Sequence, residues 1–198
     1  MPDDAVAHGP TDGGLAPPTD YGLVVPDGWF RIPLEPDGWK GPIRALAERV
    51  FDGQDDAVLL KREFSKALLA RAEEGYENGG VELYISTTSI GPVPLSSSLL
   101  VTVVPPDQGF RLDAQGRSQE ITAVELPFAG PATMRRTRTV PEVDDSSGNQ
   151  LPVTVVDYAV GVPGTEAVLL LTFSTPLDMF ADAMVELFEA VAKSLHWK

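Results

Sequence analysis

Three arginines crowd the segment MRRTR, Arg135, Arg136 and Arg138, in a chain that is otherwise acidic. On a strand Arg136 and Arg138 point the same way, and two adjacent guanidinium groups can grip carboxylates in a bidentate fashion. The plainer reading is that Glu142, Asp144 and Asp145, just beyond in the same hairpin, neutralise them, since surface charge clusters are usually solvated. Four acids, Glu82, Glu120, Glu125 and Asp157, fall in segments of strand periodicity, where a buried carboxyl with a raised pKa can serve as a general acid. Strand acids more often occupy the solvated face. Trp29 and Trp39 each close a copy of Pro-Asp-Gly-Trp, ten residues apart in PDGWFRIPLEPDGWKG. They could clamp a ligand; alternatively the two copies are turns, the first opening a strand at its Trp and the second ending it on the way to Pro42, a favoured first-turn residue of a helix. Arg135, Arg136, Arg138, Trp29 and Trp39 are thus the candidate partner-binding residues.

Other chemistry finds no foothold. His8 lies in the N-terminal segment and His196 near the end of the chain, so neither belongs to a preorganised cluster. The run Ser96-Ser97-Ser98 has no histidine near it in sequence, and no nucleophile elbow, P-loop, dinucleotide fingerprint or zinc-protease motif occurs. The absence of cysteine removes thiol nucleophiles, cysteine metal sites and disulfides. No catalytic, cofactor-binding or metal-ligating residue is assigned.

The elements that must position these groups follow from periodicity. Residues 1–20, rich in Gly, Pro, Asp and Thr, read as a disordered acidic tail, and 21–198 as one domain. WFRIPL alternates as a strand, and Pro33 confines it to a sheet edge or a strand end. PIRALAERVFDG gives a short helix with Ile43, Leu46, Ala47, Val50 and Phe51 on one face, stopped by Gly53. Asp55 or Asp56 can cap a longer helix reaching about Tyr76, with Leu60, Phe64, Ala67, Leu68 and Ala72 as its buried stripe and Asn78-Gly79-Gly80 as terminator. From Val81 to Phe173 the period becomes two over about six segments separated by turn residues. Short links favour antiparallel pairing, and LLVTVV and AVLLLTF read as central strands covered on both sides. A last helix follows Thr175 as N-cap and Pro176 as first residue, with Asp178 complementing the helix dipole. Its apolar face is Leu177, Phe180, Ala181, Met184, Leu187, Phe188, Val191 and Leu195. The fold class is α+β: an antiparallel sheet of six to seven strands, two N-terminal helices and one long C-terminal helix.

A formal charge of −14 disfavours nucleic acid and anionic membranes as partners. The N-terminus lacks the basic and apolar regions of a signal peptide, and AVLLLTF is far shorter than the roughly 20 residues that span a bilayer. The expected location is the cytoplasm, without membrane attachment.

The order strand, two helices, six strands, long helix, with a PDGW turn at Pro26 to Trp29 opening the first strand, resembles the PsbP-like family over residues 21 to 197. That family includes PsbP, LpqN lipoproteins and Eag chaperones of secreted effectors. The chain lacks the transit sequence of the first and the lipobox cysteine of the second, and so looks more like the cytoplasmic members, which bind proteins. The resemblance implies a non-catalytic protein-binding module, as an adaptor or chaperone for a secreted effector, with another protein as partner. Two alternatives stand beside it: a small hydrolase or isomerase using strand carboxylates, and a small-ligand binder using the two tryptophans.

Overall fold

Between Gly80 and Thr175 β-branched and aromatic residues alternate with small polar ones, a pattern that fits a pleated surface with one face buried. The computed structural model describes residues 16–53, 57–90, 93–108, 112, 119–140 and 151–198. Its main sheet has seven strands in the order β2-β3-β6-β10-β9-β8-β7, every neighbouring pair antiparallel. They are β2 (Trp29–Pro33), β3 (Gly80–Ser86), β6 (Ser98–Val104), β7 (Gln119–Leu126), β8 (Gly130–Thr139), β9 (Val153–Gly161) and β10 (Val168–Thr175). Two short ladders accompany it: β1 (Tyr21–Gly22) with β11 (His196–Trp197), and β4 (Ser89–Ile90) with β5 (Val93–Pro94). The helices are α1 (Lys40–Val50), α2 (Val58–Glu77) and α3 (Ala181–Lys193). This is the expected α+β arrangement, with β2 at an edge as Pro33 requires and β6 beside β10 in the middle.

The sheet separates two cores. On one face Leu99, Val101, Val156, Tyr158, Leu171 and Phe173 pack against Met184, Phe188, Val191 and Leu195 of the C-terminal segment. The rings of Phe173 and Phe188 stack with centroids 4.9 Å apart, and Tyr158 meets Phe173 edge-on. The other face is covered at the β2–β3 end, where Ile32, Leu34 and Leu83 pack with Trp39, Ile43 and Leu46 at the start of α1 and with Leu68 and Ala72 of α2.

Several expectations are corrected. The stripe of α2 comprises Leu68, Ala72 and Gly75, with Phe64 partly buried; Leu60 is 63% exposed and Ala67 is exposed, because the first turns of α2 run beyond the apolar surface of β2 and β3. Val50 also emerges at the surface. The last helix starts late. Thr175 ends β10, where its hydroxyl donates to Ser96 O and accepts from the Leu177 N–H, and a 3-10 turn (Asp178–Phe180) precedes α3. Phe180 is consequently exposed and Leu187 only half-buried. Strand β10 is buried on one face only, its residues alternating strictly between buried and half-buried. Chain order begins before Tyr21, since the Thr19 N–H donates to Lys198 O at 2.9 Å and the Lys198 N–H to Asp20 O at 2.9 Å. Most of the expected tail, the helix caps Asp55 and Asp56, and Glu142, Asp144 and Asp145 lie outside the described residues.

The repeated tetrapeptide is not a repeated structure. Its first copy places Gly28 at φ +84°, where an added Cβ would stand 2.3 Å from Thr88 Cγ2, and Trp29 opens β2. In the second copy Asp37, not the glycine, has positive φ.

Candidate functional site

The register of β8 decides what the arginines can do. Arg135 lies opposite Asp157 on β9, and Arg136 opposite Val156, so the first arginine points away from α3 and the second towards it. Arg135 donates from Nε and Nη2 to Asp157 Oδ2 at 3.0 and 2.7 Å, while the Thr172 hydroxyl donates to Oδ1 at 2.8 Å. Both oxygens of a carboxylate that is almost completely buried are thereby satisfied. Arg136 and Arg138 do share a face, as their spacing implies, but it is the face that carries α3. Arg136 holds Asp182 at 2.6 Å, and Arg138 holds both oxygens of Asp178 at 2.7 and 3.0 Å. The hydrogen bond from Arg138 keeps the Asp178 carboxyl below the usual carboxylate range. All three arginines of MRRTR are therefore engaged within the chain, two of them by acids from the start of the last helix.

The tryptophans lie on opposite faces. Trp29 packs, partly buried, against the α3 core; Trp39 is 7% exposed in the other core, beside Tyr76 at 5.6 Å. Two rings on opposite sides of a sheet cannot sandwich one ligand. The strand acids are dispersed as well. Glu82 is on the α3 face, ion-paired with Arg31 and accepting the Tyr84 hydroxyl at 2.7 Å. Burial first, and then this carboxylate, push the Tyr84 hydroxyl well above its ordinary pKa. Burial and the charge of Glu82 act likewise on Tyr21, whose buried oxygen has no hydrogen-bond partner of normal geometry among the described residues. Asp157 is on the opposite face from Glu82, and Glu120 and Glu125 are exposed on β7. No pair of these four converges on a shared space. His196 hydrogen-bonds Ser194 O and lies over Gly22, in the β1–β11 ladder. Among the described residues no three His, Asp or Glu side chains are grouped to hold a metal ion.

What the fold does assemble lies on the α1–α2 face. Beyond β6 the helices stop, and the outward residues of β10, β9, β8 and β7 are half-exposed or exposed: Leu170, Val155, Ala159, Thr133, Ala123 and Ile121. None of these belongs to either core or packs against one. The Arg135–Asp157–Thr172 network is set into the middle of this open half. At its border with α2 is a groove of about 660 Å³, within the size range of ligand sites. Its walls carry Val50, Phe64, Leu68 and Ile85, with Arg49 and Arg71 from the two helices. Two runs of hydroxyl residues, Ser86-Thr87-Thr88-Ser89 and Ser96-Ser97-Ser98, also line it with Ser174. Ser98 and Ser174 supply the floor hydroxyls on the face of Ile85, while Thr87 and Ser97 donate theirs to Gly28 O and Leu95 O. The chain brings the runs together because the Ser86 N–H donates to Ser97 O and the Leu95 N–H to Thr88 O, extending the β3–β6 pairing past the strand ends. In the sequence the serine run reads only as a nucleophile, set aside for want of a nearby histidine, and Arg49 and Arg71, far apart along the chain and sharing no local pattern, are missed.

No family model and no curated protein matches this chain. Among the described residues no helix is long and apolar enough to cross a membrane.

Proposed function

We propose that this is a non-catalytic, cytoplasmic protein-binding module whose partner docks on the open half of the sheet. The observation that carries the reading is the one-sided covering: β10, β9, β8 and β7 are packed under α3 on one face, while Leu170, Val155, Ala159, Ala123 and Ile121 on the other remain outside both cores. Contiguous exposed apolar surface rimmed by polar residues marks a site of interaction. The dispersal and internal pairing of the strand carboxylates weigh against acid/base catalysis, which needs two groups within reach of one substrate. The order of elements agrees with the PsbP-like proteins, and an adaptor or chaperone for a secreted effector is the particular role proposed.

Affinity capture from the native host, with wild-type chain beside Ala123→Arg and Ala159→Arg, tests this. Both positions are accessible, so the variants fold, as a melting curve verifies. A partner retained by the wild type and lost from both variants supports the reading. Equal retention by all three overturns it.

A further inference from the structure

The groove beside α2 has a charge pattern opposite to that of the molecule. We propose that it binds an extended peptide segment of the partner protein in which acidic and apolar residues alternate, with Arg49 and Arg71 taking the carboxylates and the floor hydroxyls the backbone. This deepens the protein-binding reading above and rests on it. The strand arginines Arg31, Arg135, Arg136 and Arg138 each hold a carboxylate of this chain. Among the described residues Arg49 and Arg71 hold none, and among the described residues no Asp or Glu lines the groove. Two guanidinium groups that line one concave surface and have no ion pair among the described residues are complementary to an anion, and their forked donors fit carboxylates.

The floor selects the kind of anion. Ser98 and Ser174, on the same sheet face as Ile85, hydrogen-bond each other at 2.7 Å. One hydroxyl gives its hydrogen to the other, leaving a second hydrogen and free lone pairs for a ligand. Hydroxyls that both donate and accept match the N–H and C=O of an extended backbone. The apolar wall of Val50, Phe64, Leu68 and Ile85 matches side chains on alternate positions. An alkyl carboxylate offers one head group, and its alkyl chain would desolvate hydroxyls without replacing their hydrogen bonds. The negative field of the remaining surface repels an acidic segment everywhere else and confines binding to this place.

Fluorescence anisotropy with the full chain decides the matter, using a labelled peptide of four Leu-Glu repeats, its Leu-Gln counterpart, and dodecanoate as competitor, at low and physiological salt. The expected result is saturable, salt-weakened binding of the Leu-Glu peptide and at least about tenfold weaker binding of the Leu-Gln form. Arg49→Gln and Arg71→Gln should each weaken it by about tenfold. Circular dichroism verifies that both exposed-site variants are folded. Equal affinity for the two peptides, or an unchanged affinity in the folded double variant, overturns the proposal. So does arginine-dependent dodecanoate binding without peptide binding, which makes the occupant a small amphiphile. If the peptide fails while Ala123→Arg and Ala159→Arg still lose the native partner, the groove assignment falls and the open-face reading survives. Peptide binding with partner capture indifferent to those two variants has the reverse meaning.

Discussion

Asp157 is the residue whose environment is most demanding, because a carboxylate buried under a sheet-face arginine is tolerated only while both its oxygens are satisfied. Arg135→Ala leaves that charge with the Thr172 hydroxyl but without its ion pair, and should destabilise the protein by about 3 to 5 kcal/mol, measured by urea denaturation. Arg138→Ala should cost far less, since its pair with Asp178 is exposed. That pair has its own signature in pH. The folded-state pKa of Asp178 is depressed, so its contribution is present above the unfolded carboxylate value of about 3.9 and disappears as pH falls through the folded value. The melting-temperature difference between wild type and Asp178→Asn should therefore be seen at pH 7 and vanish in strong acid; a constant difference would exclude the ion pair as its cause. Tyr158 runs in the opposite sense: burial first, then the charge of Glu189, push its hydroxyl up to about 12. A raised pKa keeps its stabilising share below the unfolded value of about 10, and the share is lost as pH rises through the folded one. Tyr158→Phe should then lessen the alkaline loss of stability.

At the level of elements, α3 is fixed by one ring. Phe188 is fully buried and stacked on Phe173, whereas the adjacent Leu187 is half-exposed and Glu189 reaches solvent to pair with Lys193. Phe188→Ala should cost about 3 to 5 kcal/mol, Leu187→Ala clearly less and Glu189→Ala little. Reversal of the first two in denaturant titrations would mean that the helix is rotated on the sheet. Helix α2 shows the contrary case, a long helix with a narrow buried stripe and the exposed residues Val58, Leu59 and Leu60 in its first turn. Its pattern alone suggests a wider buried face because apolar residues at helical spacing look alike whether or not a sheet lies beneath them.

For the whole molecule, the two ends of the described chain are tied together. The β1–β11 ladder, the bonds of Thr19 and Asp20 to Lys198, and the Trp197 indole donating to Ala129 O at 3.1 Å close the α3 face at one side. Trp197→Ala removes a packed ring and this bond and should cost about 3 kcal/mol, a melting-temperature loss of several degrees by calorimetry. An unchanged transition would show that the terminal clasp is decorative. The same layering that closes this face leaves half of the other one open, which is where the proposed partner would dock.

The number and type of the main elements were legible in the sequence, because periods of two and near 3.6 record which side of each strand or helix meets apolar surroundings, and Pro33, Gly53, Asn78 and Gly79 mark where elements end. Legible too was the shared direction of Arg136 and Arg138, a property of strand geometry. Tertiary structure alone decided what those arginines meet, since Asp178 and Asp182 are some 40 residues away along the chain and reach them only once α3 lies across the sheet. It also decided that Trp29 and Trp39 face opposite cores, that Leu60 has nothing to pack against, and that Arg49 and Arg71 meet the hydroxyls of Ser98 and Ser174 in one groove. Local pattern records whether a residue favours burial, but the neighbour that satisfies it is supplied by strand order and helix placement, which are set by long-range packing.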